Sequence, residues 1–157
     1  MKQGADMTDV VDPKVRSRMM GAIKGKDTKP EIQLRQYLHA QGFRYRLHRR
    51  GLPGSPDLVL KRHSLVIFVH GCFWHRHEKC FYAASPKTRP EFWQQKFEAN
   101  MARDARVQNE LQQLGWRVLV VWECGLKHLD LEDHQIPELI RSLHADMQWP
   151  AIPPRMR

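Results

Sequence analysis

Residues 64–80 read SLVIFVHGCFWHRHEKC, and they decide the fold. The run LVIFV at 65–69 is wholly apolar, which is typical of a strand that is covered on both faces of a sheet. Directly after this run come two cysteines, three histidines and an adjacent Phe and Trp. We therefore predict a buried central strand that leads straight into a segment rich in metal-binding and reactive side chains.

Further apolar runs and helical patterns lie on both sides of this strand. The periodicity predicts strands at 43–48, 57–60 and 116–122, and helices at 12–23, 28–41, 88–114 and 136–144. Thr28 with Glu31, and Thr88 with Glu91, each match a capping box that opens a helix. This order of elements predicts an α/β fold with a central mixed sheet flanked by helices.

The length and composition limit the domain organisation and the setting. A chain of 157 residues suits one domain over 1–157, with a helical segment within 1–25 and an irregular proline-rich tail at 145–157. No apolar run approaches about 18 residues, and the first ten residues do not resemble a secretion signal, so no membrane partner is expected. The chain has three cysteines, a small and odd number that argues against a disulfide framework and favours a cytoplasmic protein.

The charge is strongly positive and unevenly distributed. The net charge is +9, with twelve Lys and Arg against five Asp and Glu in residues 1–50. The remaining 107 residues are nearly balanced, with fourteen against twelve. A basic first third favours a nucleic-acid partner, although a merely soluble basic surface would have the same composition.

The cysteines predict a metal site. Cys72 and Cys80 enclose His75 and His77, and Cys124 follows a predicted strand that we expect beside the central one. Adjacent strand ends would bring all three thiols together. We therefore predict a closed structural zinc site at Cys72, His77, Cys80 and Cys124. Spacing alone does not separate His75 from His77, and three buried free thiols are the alternative.

Three acidic residues stand out. Asp57 follows a proline at a strand start, where a carboxylate would suit Mg²⁺, although an Asp in a Gly/Pro-rich turn often serves only the turn. Asp104 lies on the apolar stripe of a predicted helix, and Glu31 shares a face with Leu34 and Leu38. Such acids are costly unless they have a partner. A buried arginine would explain Asp104, and the capping box would explain Glu31.

Several of these stretches occur together in one order: PD at 56–57, FVHGCFWH at 68–75, TRPEFW at 88–93, GWRV at 115–118 and VWEC at 121–124. In this combination the chain resembles the very-short-patch repair (Vsr) endonucleases over about 12–125. The resemblance implies a restriction-endonuclease-like core with a structural zinc. It also implies Mg²⁺-dependent nicking of duplex DNA on the 5′ side of the thymine in a T:G mismatch, the lesion left by deamination of 5-methylcytosine.

The resemblance assigns roles to individual residues. Asp57 matches the aspartate that binds the catalytic Mg²⁺, and the carbonyl of Val69 matches its main-chain ligand. His75 matches the catalytic histidine, and His70 matches a second active-site histidine. Two acids match residues that hold metal-bound waters, namely Glu31 and Asp104.

Other matching residues would contact DNA. The aromatics that match a wedge beside the mismatch are Phe73, Trp74 and Trp93, and Met20 matches a residue that enters from the minor groove. The implied partner is duplex DNA with a T:G mismatch, bound by a monomer that associates with the bacterial nucleoid, and mismatch-repair proteins are further candidate partners. One departure concerns zinc: two residues separate His77 from Cys80, where the family usually has one.

Three other interpretations stay open. A non-catalytic, zinc-stabilised DNA-binding module would bind without Mg²⁺-dependent cutting, and it leaves the three acids unexplained. A restriction-like endonuclease would cut both strands of matched duplex as a dimer. A nuclease with one ion bound by His70 and His75 would survive the loss of Asp57.

Overall fold

Strand β3 (Leu65–His70) is the middle strand of a five-stranded sheet in the computed structural model, which describes residues 27–157. Strand β2 (Leu58–Leu60) pairs with it antiparallel, and β4 (Arg117–Trp122) pairs with it parallel. The edge strands are β1 (Arg46–Leu47), antiparallel to β2, and β5 (Asp146–Trp149), parallel to β4. The predicted mixed sheet is confirmed. The predicted helix at 12–23 and Met20 lie outside the described residues.

Five α-helices accompany the sheet in the described part of the chain. They are α1 (Lys29–Ala40), α2 (Cys72–His75), α3 (Pro90–Gln113), α4 (Glu123–His128) and α5 (Gln135–Arg141). Short 3-10 turns occupy Lys61–His63 and Leu131–Asp133. None of these helices combines the length and the apolar character that a bilayer crossing requires.

Both faces of the sheet are covered, as the apolar run at 65–69 predicts. Because side chains alternate along a strand, Leu65 and Ile67 lie in one core layer, while Val66 and Phe68 lie in the other. The first layer also contains residues of α1 and α5: Leu34, Leu38, Ile136 and Ile140. The second contains Leu111 of α3 and the three cysteines. The segment that follows β3 therefore emerges between two packed layers.

Of the two predicted capping boxes, one is present and the other is not. At α1 the box is present: the backbone N–H of Thr28 donates to Glu31 Oε2 at 3.2 Å. At α3 the prediction was wrong, because the cap is Arg89, which has a left-handed backbone (φ 55°) and no side-chain cap bond. Pro90 takes the first helical position, for which its fixed φ is suited, and this shifts the cap one residue past Thr88.

The prediction of an irregular tail at 145–157 is wrong for residues 146–149, which form strand β5. Met147 and Trp149 are buried while Asp146 and Gln148 are exposed, which is the alternation of an edge strand with one face on the core. The indole N–H of Trp149 donates to Gln135 at 2.9 Å and ties β5 to α5. The prolines begin only at residue 150, so they do not interrupt this strand.

Two smaller boundaries also differ from the prediction. The strand expected at 43–48 is reduced to β1, two residues long, and the stretch at 123–128 forms helix α4, which the periodicity did not indicate. Helix α4 begins directly where β4 ends, and it carries Cys124 in its first turn.

Candidate active site and metal centre

Helix α2 is one turn long and connects two groups of side chains. Its first residue, Cys72, is fully buried, and its last, His75, is half-buried and opens to a cavity. Arg76 ends the helix in a left-handed conformation (φ 56°). The Arg76 guanidinium donates to the carbonyls of Phe73 at 3.1 Å and Ala83 at 2.6 Å, and these bonds hold the short helix in place.

The first group consists of three thiols and an imidazole. The donor atoms of Cys72, His77, Cys80 and Cys124 all lie within 4.8 Å of one another, and all four side chains are buried. His77 Nδ1 lies 3.3 Å from Cys124 Sγ and 3.7 Å from Cys72 Sγ. The His77 ring stacks on Trp122 with centroids 4.1 Å apart. The structure therefore brings the predicted ligands together and places His77, rather than His75, among them.

The chemistry of this group fits a bound cation. The neighbouring Cys124 thiol raises the pKa of the Cys72 thiol most, and burial raises it further. Burial also raises the pKa of the Cys80 thiol. Buried thiolates therefore need a positive charge beside them. Three sulfurs and one nitrogen in a closed, buried set are the donors that a structural Zn²⁺ takes.

The second group contains a hydrogen-bonded pair, His75 and Asp104. Asp104 on α3 places Oδ2 2.6 Å from His75 Nδ1. Because a carboxylate accepts, Nδ1 carries the proton of this bond and Nε2 remains available to a substrate. The ring of His70 stacks on that of His75, with centroids 3.8 Å apart and planes 7° apart. Burial lowers the pKa of His70 to about 3, so this second ring stays neutral.

Asp57 forms the third part of the site. Its Oδ2 accepts the backbone N–H of Val69 at 2.7 Å, which fixes the carboxylate against the end of β3. Burial and the nearby Glu31 raise the pKa of Asp57 to about 6, against the opposing effects of the Val69 hydrogen bond and of His48. Two neighbouring carboxylates in a buried place repel each other, and a cation beside them would stabilise their charged forms. Hard carboxylate and carbonyl oxygens are the ligands that suit Mg²⁺.

Two basic side chains that were not predicted from the sequence, Arg35 and His48, surround Glu31. Arg35 donates to Glu31 Oε1 at 3.1 Å and also bonds to Asp27, while His48 Nε2 lies 3.1 Å from the same Glu31 oxygen. His48 Nδ1 lies 3.8 Å from Asp57 Oδ1 and so bridges the two acids. Arg35 follows Glu31 by four residues on a helix, a spacing that does indicate an ion pair. His48 gave no signal, because only the β1–β2 pairing brings it there.

A cavity of about 400 Å³ joins the parts of the site. Its lining includes four of the predicted catalytic residues and one arginine: Asp57, His70, His75, Asp104 and Arg103. Glu31 is buried, does not line this cavity, and acts on it through Asp57. Gly54 (φ 71°) packs so closely on Val107 of α3 that a Cβ atom would not fit, and this contact holds the Asp57 loop against the helix.

The predicted DNA-contacting aromatics form one cluster beside α2. The ring centroids of Phe73 and Trp74 are 5.0 Å apart, and those of Trp74 and Trp93 are 5.9 Å apart. Phe73 and Trp74 are half-buried, whereas Trp93 is only 7% exposed. Its neighbour Phe92, which the sequence analysis did not single out, is 44% exposed and lies beneath the guanidinium of Arg89 at 4.5 Å.

Comparisons with known proteins agree on one family. The family model described as DNA mismatch endonuclease Vsr matches residues 8–81. The type II nicking enzyme V.XorIIP of Xanthomonas oryzae pv. oryzae is 49% identical over 123 residues, which are 78% of this chain and 90% of that protein. The DNA mismatch endonuclease Vsr of Escherichia coli strain K12 is 48% identical over 121 residues, 77% of each chain.

The fold resembles that of a solved nuclease domain. The catalytic domain of the homing endonuclease I-Bth0305I superposes with a TM-score of 0.50, covering 74% of this chain and 100% of that domain at 23% identity. At this identity the likeness concerns the fold alone.

Proposed function

The chain belongs to the family of the DNA mismatch endonuclease Vsr, and from this premise we propose that it nicks one strand of duplex DNA on the 5′ side of the thymine in a T:G mismatch. The observation that carries the proposal is the cavity in which Asp57 and the His75–Asp104 pair face the same space. A hydrolytic nuclease needs a cation ligand and a proton acceptor around one phosphate, and this cavity contains both kinds of group.

We assign the Mg²⁺ ligands to the Asp57 carboxylate and the Val69 carbonyl. Bound there, Mg²⁺ would supply positive charge at the phosphate and at the leaving oxygen. The Val69 N–H holds the Asp57 carboxylate in one orientation at 2.7 Å, so the ligand is fixed before the ion arrives. Glu31 would orient water next to Asp57, and its bond to Arg35 fixes the position of its own carboxylate.

His75 is the proton acceptor of the proposed reaction. Its Nε2 takes a proton from the water that attacks phosphorus, and one bond from phosphorus to a bridging oxygen breaks as the new bond forms. Asp104 stabilises the resulting imidazolium through the 2.6 Å bond at Nδ1. His70, held neutral by burial, keeps the ring of His75 in its plane without competing for the proton.

The thiol and imidazole group would hold a structural Zn²⁺ and take no part in the chemistry. Cys72 starts α2, and His75 ends it. A metal that fixes Cys72, His77 and Cys80 therefore fixes the short helix from both sides, and with it the direction of His75.

Phe73 and Trp74 would insert beside the mismatch. They are the half-exposed part of the aromatic cluster, while Trp93 and Phe97 are buried and support them. A mismatched step is easier to open than a matched one, and stacking on an aromatic ring returns roughly 1–3 kcal/mol per base. One nick requires one such site, so a monomer suffices. The cytoplasmic, nucleoid-associated location and contacts with mismatch-repair proteins stay predictions.

The test is a nicking assay on an end-labelled duplex with one T:G mismatch in varied flanking sequences. It is run with and without Mg²⁺, beside a matched duplex, and with Asp57→Asn. Asp133→Asn is the matched control, because Asp133 is exposed on a 3-10 turn away from the cavity. We expect a single Mg²⁺-dependent nick 5′ of the mismatched thymine, lost in Asp57→Asn and kept in Asp133→Asn.

Each alternative gives a different pattern in the same assay. Equal cutting of matched duplex would indicate a restriction-like endonuclease. Binding without cutting in every flanking context would indicate a DNA-binding module. Full activity of Asp57→Asn would move the metal site to His70 and His75.

A further inference from the structure

Among residues 27–157, Arg103 is the one arginine or lysine that lines the Asp57–His75 cavity. It lies on α3 immediately before Asp104, and its side chain is exposed. Within residues 27–157, no carboxylate lies within ion-pair distance of its guanidinium, and it donates no side-chain hydrogen bond. Helix spacing agrees, since the residues three and four positions away are Ala99, Asn100, Arg106 and Val107.

The charge of the cavity leaves a role for this cation. A DNA phosphate that enters the cavity meets the carboxylates of Asp57 and Asp104, and both repel it. Asp104 already bonds to His75, and Asp57 is the proposed Mg²⁺ ligand. Of the lining residues in the described part of the chain, only Arg103 brings a permanent positive charge that no carboxylate neutralises.

Arginine has the right chemistry for this task. Its planar guanidinium stays charged at every working pH, and it presents paired N–H donors that match two oxygens of a phosphate. We propose that Arg103 binds the phosphate that is cleaved, through a non-bridging oxygen, and stabilises the charge that builds up there during attack. The inference rests on the proposed function of the same cavity and adds a residue that contacts the substrate.

A matched pair of arginines on one helix provides the test. Arg106 lies one turn further along α3 and pairs with Glu110 at 3.8 Å, away from the cavity lining. Arg103→Ala, Arg103→Lys and Arg106→Ala are compared with the wild type under single-turnover conditions, with enzyme in excess over the T:G duplex. Thermal melting checks that each variant is folded.

We expect Arg103→Ala to lower the single-turnover nicking rate by about 10² to 10³, the usual effect of removing one donor to a developing anion. Arg103→Lys should recover part of the rate, and guanidinium chloride at low millimolar concentration should partly restore Arg103→Ala. Arg106→Ala should stay within about twofold of the wild type and show no response to guanidinium. A folded Arg103→Ala variant that nicks within twofold of the wild type, or a loss that guanidinium does not rescue, would overturn the proposal.

DNA binding in the same samples separates this proposal from the proposed function. If the wild type binds DNA but nicks no duplex, the endonuclease proposal fails. In that case the salt dependence of DNA binding tests the phosphate contact by itself. Loss of one phosphate contact lowers the slope of log Kd against log salt by about 0.9. Such a decrease in Arg103→Ala and not in Arg106→Ala supports the contact, and equal slopes in the two variants exclude it.

Discussion

Helix α2 separates two groups of side chains that use similar residues in opposite ways. At its start, Cys72 joins a set of four donors that are all buried and all turned towards one another. At its end, His75 pairs with Asp104 through Nδ1 and lines a cavity. A closed set of donors leaves no position for a substrate, whereas the open set leaves a place for water and a phosphate.

The difference explains why one segment contains three histidines with three environments. His77 is fixed by two thiols and by Trp122, His70 is buried and neutral, and His75 alone is both oriented and accessible. Only the last combination suits proton transfer. Variants at each group should therefore give different phenotypes, one in folding and the other in rate.

The largest expected effect follows from opening the closed group. Cys124→Ser removes the one donor that comes from α4, and it should lower the free energy of unfolding by more than about 5 kcal/mol, since bound metal contributes directly to folding. Zinc content by mass spectrometry and thermal melting measure it, with chelator-treated wild type as the reference. A variant that melts like the wild type and retains one zinc per chain would refute the structural role.

The second expected effect is a lower nicking rate with no change in the stability of the fold. His75→Ala should lower the nicking rate by about 10² to 10⁴ while the melting temperature and zinc content stay unchanged. Asp104→Asn should also be slow, and the double variant should be little slower than His75→Ala, because the two side chains act as a unit. His144→Ala, which changes an exposed histidine, is the control. Additive losses in the double variant would contradict a shared role.

The smallest effect is a pH dependence of stability. Burial and Glu31 raise the pKa of Asp57 from 3.8 to about 6, so the folded chain binds this proton more tightly than the unfolded chain does. The stability that protonated Asp57 provides is present below about pH 4 and is lost as the pH rises to about 6. Above that pH, Asp57→Asn should be more stable than the wild type by up to about 3 kcal/mol without Mg²⁺.

Urea unfolding of zinc-loaded protein between pH 4 and 8 measures this difference. Asp133→Asn should show no such pH dependence, and added Mg²⁺ should reduce the advantage of Asp57→Asn. If the stability difference between Asp57→Asn and the wild type is the same at pH 4 and pH 7, the pKa of Asp57 is not raised in the metal-free fold.

The sequence predicts the parts of this molecule that residue type and apolar pattern identify. The apolar run at 65–69 predicts the central strand, and the use of every cysteine predicts the closed group. What it could not predict depends on the pairing of the two edge strands, β1 and β5. His48 reaches Glu31 and Asp57 only because β1 lies beside β2, and the tail becomes a strand only because β4 offers it an edge.

Charge is the other limit of sequence reasoning. Asp104 has the partner that its place on an apolar stripe requires, but that partner is His75 rather than a buried arginine. Arg103, the adjacent residue, looks like any solvent-exposed cation of a helix until the cavity beside it is visible. A residue type and its spacing do not reveal which face of α3 meets Asp57.

Because Cys124 lies far behind Cys72 and Cys80 in the sequence, the four-donor group can form only after most of the chain has been synthesised. Cys72 and Cys80 leave the ribosome well before it, and the parallel pairing of β3 with β4 requires the whole of α3 as a crossover first. Such non-local pairing is a slow step of folding. Helix α2, which carries His75, can thus be fixed only after β4 has formed, so we expect an incomplete chain to hold the proposed catalytic histidine loosely.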